Sequence, residues 1–173
     1  GILWNSGTAL ELTDITCNHN EGNAGICCGI QLDSTESVTM QNIFADYNHG
    51  TGGDTTAGDD ADNTKNMGAT GIFFSTYIKS LELKNATASS NYGSSVIGLR
   101  MMVGQGITAS DLACDYNNGT DFIKGMSFGT SIRSCTLQDV SLVSNTSSGG
   151  VVNAATRSEE HTSELQSPDH LVC

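Results

Sequence analysis

One pattern of eleven residues occurs five times in this chain and restricts what it can fold into. The copies are LELTDITCNHN (10–20), VTMQNIFADYN (38–48), LELKNATASSN (81–91), ITASDLACDYN (107–117) and CTLQDVSLVSN (135–145). Each reads apolar-x-apolar-x-Asn/Asp-apolar-x-small or apolar-x-x-Asn. A shorter motif, Gly-apolar-x-apolar, alternates with it: GILW (1–4), GIQL (29–32), GIFF (71–74), GLRM (98–101) and GMSF (125–128), with a frayed copy, GVVN, at 150–153. The Gly-led motifs start 28, 42, 27 and 27 residues apart. A period of this size marks a repeat architecture, in which each unit buries its apolar face only by stacking on the next.

Within each unit apolar residues alternate with polar ones, as in LELTDITC, where Leu10, Leu12, Ile15 and Cys17 share one face. Alternation of period two specifies strands, whereas helices need apolar residues at three- and four-residue steps. Each unit therefore holds three short strands, typified by LEL, ITC and GIQL. Three strands and three turns in about 27 residues make one coil of a parallel β-helix. The first Asn/Asp row (Asp14, Asn42, Asn85, Asp111, Asp139) falls where the chain bends between two strands. These residue types tolerate left-handed backbone angles and bond their local backbone. The second row, Asn20, Asn48, Asn91, Asn117 and Asn145, is read as another turn position on the same conformational grounds. Stacked in successive coils, both rows are expected to form structural ladders.

The repeat resembles the right-handed parallel β-helix superfamily that includes pectate-lyase-like proteins, over residues 1–156. The segments NHNEGNAGICCGI and VSNTSSGGVV also resemble repeats of polymorphic outer-membrane proteins, which carry Phe-x-x-Asn and Gly-Gly-Ala-apolar motifs. That match is partial. Phe44 lies four residues before Asn48, and only Gly149-Gly150 doubles the glycine. The resemblance implies an all-β, right-handed parallel β-helix solenoid of about five coils, and an extracellular or cell-surface location.

Gly1 opens in mid-repeat, which leads to the expectation of a fragment truncated at both ends. Residues 157–173, RSEEHTSELQSPDHLVC, break the repeat and carry the only proline. They resemble a translated sequencing adapter, so 157–173 are set aside as a non-native tail and 1–156 are taken as the β-helix fragment. Without the tail, which holds one basic and four acidic residues, the net charge moves from −12 to −9. So acidic a chain, poor in lysine, is a poor partner for nucleic acid or anionic membranes. No apolar run reaches membrane-spanning length.

Five cysteines precede the tail: Cys17, Cys27, Cys28, Cys114 and Cys135. Cys17 and Cys114 share a repeat position with Ala45, Ala88 and Leu142, which marks a small inward slot. Cys135 takes the slot of Leu10, Val38, Leu81 and Ile107. These are core positions. Cys17 and Cys114 are three coils apart, too far for a disulfide at about 5 Å per coil.

The one insertion, residues 49–68, carries Asp54, Asp59, Asp60 and Asp62 among Gly, Thr and Asn. Loops on a rigid scaffold are where function concentrates. Carboxylates and carbonyls suit a hard cation, so calcium is the one cofactor these residues suggest. The spacing matches no EF-hand loop, and a solvated acidic loop is the plainer reading of the composition.

Lyases of the resembled fold pair an acidic calcium cluster with an Arg or Lys base. Arg100, Lys79 and Arg133 are the basic candidates, but none pairs in sequence with an acid cluster, so no catalytic residue is assigned. Asp46 and Asp115 share a repeat position beside Tyr47 and Tyr116, in rows with Asn18 and His19. This polar, aromatic group is the candidate glycan-binding surface; a plain strand-end surface is the alternative. Asn85-Ala-Thr, Asn118-Gly-Thr and Asn145-Thr-Ser are glycosylation sequons. The expectation is a non-catalytic, extracellular or cell-surface repeat protein, adhesin-like or glycan-binding, whose partner is a glycan or another surface protein. A polysaccharide lyase or glycosidase, and a structural spacer or passenger domain, are the alternatives. The enzyme alternative requires two carboxylates and a basic group converging within about 10 Å.

Overall fold

In the computed structural model, which describes residues 1–22, 27–51, 68–149 and 151–157, the chain is an all-β parallel solenoid of about four turns. It is consistent with a right-handed parallel β-helix. Five stacked copies of the long pattern bound four complete turns, which reconciles this with the five coils counted in the sequence. The strands are β1 (Ile2–Trp4), β2 (Gly7–Thr16), β3 (Glu21–Gly22), β4 (Cys27–Leu32), β5 (Thr35–Phe44), β6 (His49–Gly50), β7 (Ala69–Thr87), β8 (Tyr92–Ala113), β9 (Asn118–Ser141), β10 (Thr146–Ser147) and β11 (Val151–Arg157).

Every pairing between strands is parallel, and each residue pairs with its repeat equivalent. Leu10 pairs with Val38, Val38 with Leu81, Leu81 with Ile107, and Ile107 with Cys135. The Gly-led motif stacks likewise: Ile2 on Ile30, Ile30 on Ile72, Ile72 on Leu99, and Leu99 on Met126. Register errors would turn the apolar set outward, so alternation pins it. The inward residues form one continuous core, with Ile30, Leu32, Met40, Ile43, Ile72, Phe74 and Ile78 fully buried. Cys17, Ala45, Ala88 and Cys114 belong to it, as the small-slot reading expects.

The small slot has a direct cause. A Cβ on Gly71 would sit 2.7 Å from the Ala88 Cβ and 2.8 Å from the Gly98 carbonyl oxygen. The leading glycine of the short motif and the small residue of the long one meet across a narrow corner, which leaves no room for a Cβ on Gly71. In the later coils the three expected strands fuse into single strands, β7, β8 and β9. Each corner bends the coil above and below it alike, so the ladder hydrogen bonds continue around it. Shifts occur only locally, as between Phe74 and Tyr77.

The first Asn/Asp row is the bend that the sequence indicates. Asp14, Asn42, Asn85, Asp111 and Asp139 all have φ between 50° and 57°. Asn42 donates to Asp14 Oδ1 and Asn85 to Asn42 Oδ1, each at 2.7 Å. The second row differs from its reading as a turn position. The left-handed residues there are His19, Tyr47, Ser90, Tyr116 and Ser144, one position earlier. The asparagines themselves point inward, and Asn48, Asn91 and Asn117 are completely buried. Their amides join in a continuous ladder. Asn20 Nδ2 donates to Asn48 Oδ1 at 2.7 Å, Asn48 to Asn91 at 2.9 Å, and Asn91 to Asn117 and Asn117 to Asn145 at 3.0 Å. Each Oδ1 also accepts the backbone N–H of the asparagine one coil before. Burying an amide is costly unless it is satisfied in this way.

Candidate functional site

The bend before each buried asparagine presents the left-handed residue to solvent. His19, Tyr47, Ser90 and Tyr116 therefore form an outward row along the solenoid. Tyr47 is 48% and Tyr116 61% exposed, which places large aromatic faces in water at the positions the sequence indicates. The His19 ring stacks on Tyr47, centroids 5.1 Å apart and planes 10° apart. Two positions on, a second outward row holds Glu21, His49, Tyr92, Asn118 and Thr146, in register through β3, β6, β8, β9 and β10. Here His49 stacks on Tyr92, with centroids 4.3 Å apart.

Between this row and the next outward one runs a line of glycines. Gly22, Gly50, Gly93 and Gly119 pair in register. A Cβ on Gly50 would overlap the Gly68 carbonyl oxygen at 1.5 Å, where the chain returns against this strand, so only glycine fits. The result is a groove of about 370 Å³ lined by His49, Thr51, Tyr92, Ser94, Asn118 and Thr120. Its walls are one stacked aromatic pair and a set of hydroxyl and amide groups. Such a mixture suits a ligand with apolar faces and hydroxyl edges. The sequence reading found Tyr47 and Tyr116 but not the groove. The signal was Asn-x-Gly, present at Asn20, Asn48, Asn91 and Asn117.

Asp46 and Asp115 stand next to this edge, yet their carboxylates are engaged by the fold. Asp46 Oδ1 accepts the Ser89 N–H at 2.7 Å and its Oδ2 the Thr87 hydroxyl at 2.6 Å. Asp115 Oδ1 accepts the Val143 N–H at 2.6 Å, and the Ser141 hydroxyl donates to the same carboxylate. Asn18 Oδ1 and Ser89 Oγ do the same for the N–H groups of Asp46 and Asp115. These side chains make a further ladder, in which each accepts the backbone N–H of the next coil.

The basic candidates are elsewhere. Arg100 lies on the outer side of the Gly-led strand, its guanidinium carbon 5.7 Å from the Phe73 ring centroid. Phe73, Ile97, Cys28, Met102 and Phe122 form a small apolar cluster there, separate from the core. Burial lowers the Arg100 pKa and pushes the Cys28 thiol up to about 12. Burial also raises the Cys114 thiol, helped by the charges of Asp115 and Asp46. The raised Cys114 pKa fits the packing role read for that residue from the sequence. Arg100 and the carboxylates of Asp46 and Asp115 thus belong to different faces of the coil. Asp54, Asp59, Asp60 and Asp62, the calcium candidates, lie outside the described residues. Among the described residues no group of three or more His, Cys, Asp or Glu side chains is placed to hold a metal ion. Among them, too, no helix is long and apolar enough to cross a membrane.

Fold and edge together define a parallel β-solenoid with an exposed aromatic margin. No protein-family model matches the chain, and neither a curated protein nor a solved structure is significantly similar to it.

Proposed function

We propose that this solenoid is a non-catalytic glycan-binding protein of the adhesin type, acting outside the cell or at its surface. The observation that carries this reading is the aromatic margin: Tyr47, Tyr92 and Tyr116, exposed beside a groove lined with amide and hydroxyl groups. Exposed aromatics in a row exact a solvation cost that a ligand with apolar faces relieves. Pyranose rings offer such faces, and their hydroxyls match Asn118, Thr120 and Ser94. The chain carries a net charge of −12, so its field disfavours uronates and other acidic polymers and favours neutral glycans.

A glycan array probed with the wild-type chain and with a Tyr47→Ala/Tyr116→Ala double variant tests this. Each stacked aromatic contributes about 0.5–1.5 kcal/mol, so the double variant should bind neutral hits roughly 5- to 150-fold more weakly. Equal binding by both proteins, or hits confined to uronate polymers, would refute the reading.

A further inference from the structure

The three sequons present their asparagines in three different environments. Asn145 Nδ2 is buried, and its Oδ1 accepts from Asn117. Asn85 Nδ2 donates to Asn42, and the Thr87 hydroxyl of the same sequon is held by Asp46. Asn118 differs from both. It is exposed, it opens β9 at the groove, and its side-chain amide has no hydrogen-bond partner among the described residues. Thr120, the third residue of its sequon, is also exposed with its hydroxyl unengaged among the described residues. Gly119 between them lets the backbone run close to the Phe122 carbonyl, which a Cβ there would meet at 2.3 Å.

We propose that Asn118 is an N-glycosylation acceptor and that its glycan covers the groove. In the transfer, Asn118 Nδ2 attacks C1 of a lipid-pyrophosphate-linked oligosaccharide. The C1–N bond forms and one Nδ2 proton leaves. The C1–O bond breaks, and the lipid pyrophosphate departs with the electron pair. Tyr92 pairs with Asn118 across the ladder and is 42% exposed, so the first sugar lies beside an aromatic ring already stacked on His49. An attached glycan thus competes with any external one for the same walls. This second half rests on the glycan-binding reading; the modification itself does not. Sugars are transferred before folding is complete, and the fold then decides which attached glycan it accepts. A glycan on Asn145 would be forced into the interior and would break the amide ladder, whereas one on Asn118 projects into solvent.

The test is expression of the full chain behind a signal sequence in a eukaryotic secretory host. Glycopeptides are mapped after peptide-N-glycosidase treatment in heavy-oxygen water, on total cell protein as well as secreted protein. The expected result is heavy-oxygen aspartate at position 118, lost in Asn118→Gln and in Thr120→Ala and retained in Asn85→Gln. Recovery of the Asn118 peptide only in unmodified form, or a glycan on Asn145 in folded protein, overturns the proposal. Array binding is then compared between wild-type protein from that host and the same sequence made in a bacterial host that attaches no N-glycan. Stronger binding by the unglycosylated protein supports the masking role, and equal or weaker binding overturns it. If neither protein binds while Asn118 is modified, the glycan-binding reading fails and the modification site stands.

Discussion

Replacing Asn91 by alanine should damage the solenoid more than the same change at the end of its ladder. Asn91 Oδ1 accepts both the backbone N–H and the Nδ2 of Asn48, each at 2.9 Å, and Asn48 is completely buried. Alanine strands both donors. The Asn48 Nδ2 keeps its bond to the Ala45 carbonyl, and Asn117 Oδ1 keeps the backbone N–H of residue 91. The net loss is two buried donors without acceptors, at about 1–3 kcal/mol each, or about 2–6 kcal/mol together. Asn20→Ala strands no buried donor, because Asn48 Oδ1 still accepts the backbone N–H of residue 20. It removes the two part-buried donations of Asn20 Nδ2, to the Cys17 carbonyl and to Asn48 Oδ1, and the exposed bond from the Gly1 amino group, roughly 1–3 kcal/mol in all. Because each coil touches only its neighbours, the lesion at Asn91 also weakens the two interfaces of a central coil. Urea unfolding followed by far-ultraviolet circular dichroism should show a lower midpoint for Asn91→Ala than for Asn20→Ala, with similar slopes. Equal midpoints for the two variants would refute the claim that the buried ladder holds the coils together.

Two further outcomes separate structural from binding roles. Asp46→Ala removes the acceptor of the Ser89 N–H and of the Thr87 hydroxyl, and should cost about 1–3 kcal/mol of stability. Glycan binding by the folded Asp46→Ala variant should stay within twofold of wild type; a loss comparable to that of the tyrosine variant would return Asp46 to the binding surface. Native labelling with iodoacetamide at pH 8 should leave Cys28 and Cys114 unmodified. With the Cys28 thiol pushed up to about 12, its thiolate fraction there is on the order of one in ten thousand. Both should react in denaturant, and fast native labelling of either, read by peptide mapping, would contradict the burial described.

The columns of the fold were legible because a stacked coil repeats its chemistry in register. Leu10, Val38, Leu81, Ile107 and Cys135 align in the sequence and pair in the ladder. The direction of the second asparagine row was not legible. A spacing shows that a position recurs, not which side of the backbone it faces. The bend lies at His19, Tyr47, Ser90, Tyr116 and Ser144, residue types with no shared turn preference, so the invariant asparagine beside them was credited with it. The exposure of Tyr47 and Tyr116 followed from their polar surroundings. The engagement of Asp46 and Asp115 did not, because their partners, Ser89 and Val143, are one coil away. The groove at His49, Tyr92 and Asn118 was missed because its floor is a line of glycines, whose meaning emerges only once neighbouring coils are stacked.

A crystal structure of the protein with a neutral oligosaccharide chosen from the array hits tests the central claim most directly. The account predicts a sugar ring against Tyr47, Tyr92 or Tyr116, with its hydroxyls bonded to Asn118, Thr120 or Ser94. A sugar seated instead on the outer side of the Gly-led strand, beside Arg100 and Phe73, would contradict it, as would crystals in which the aromatic margin stays empty at saturating ligand.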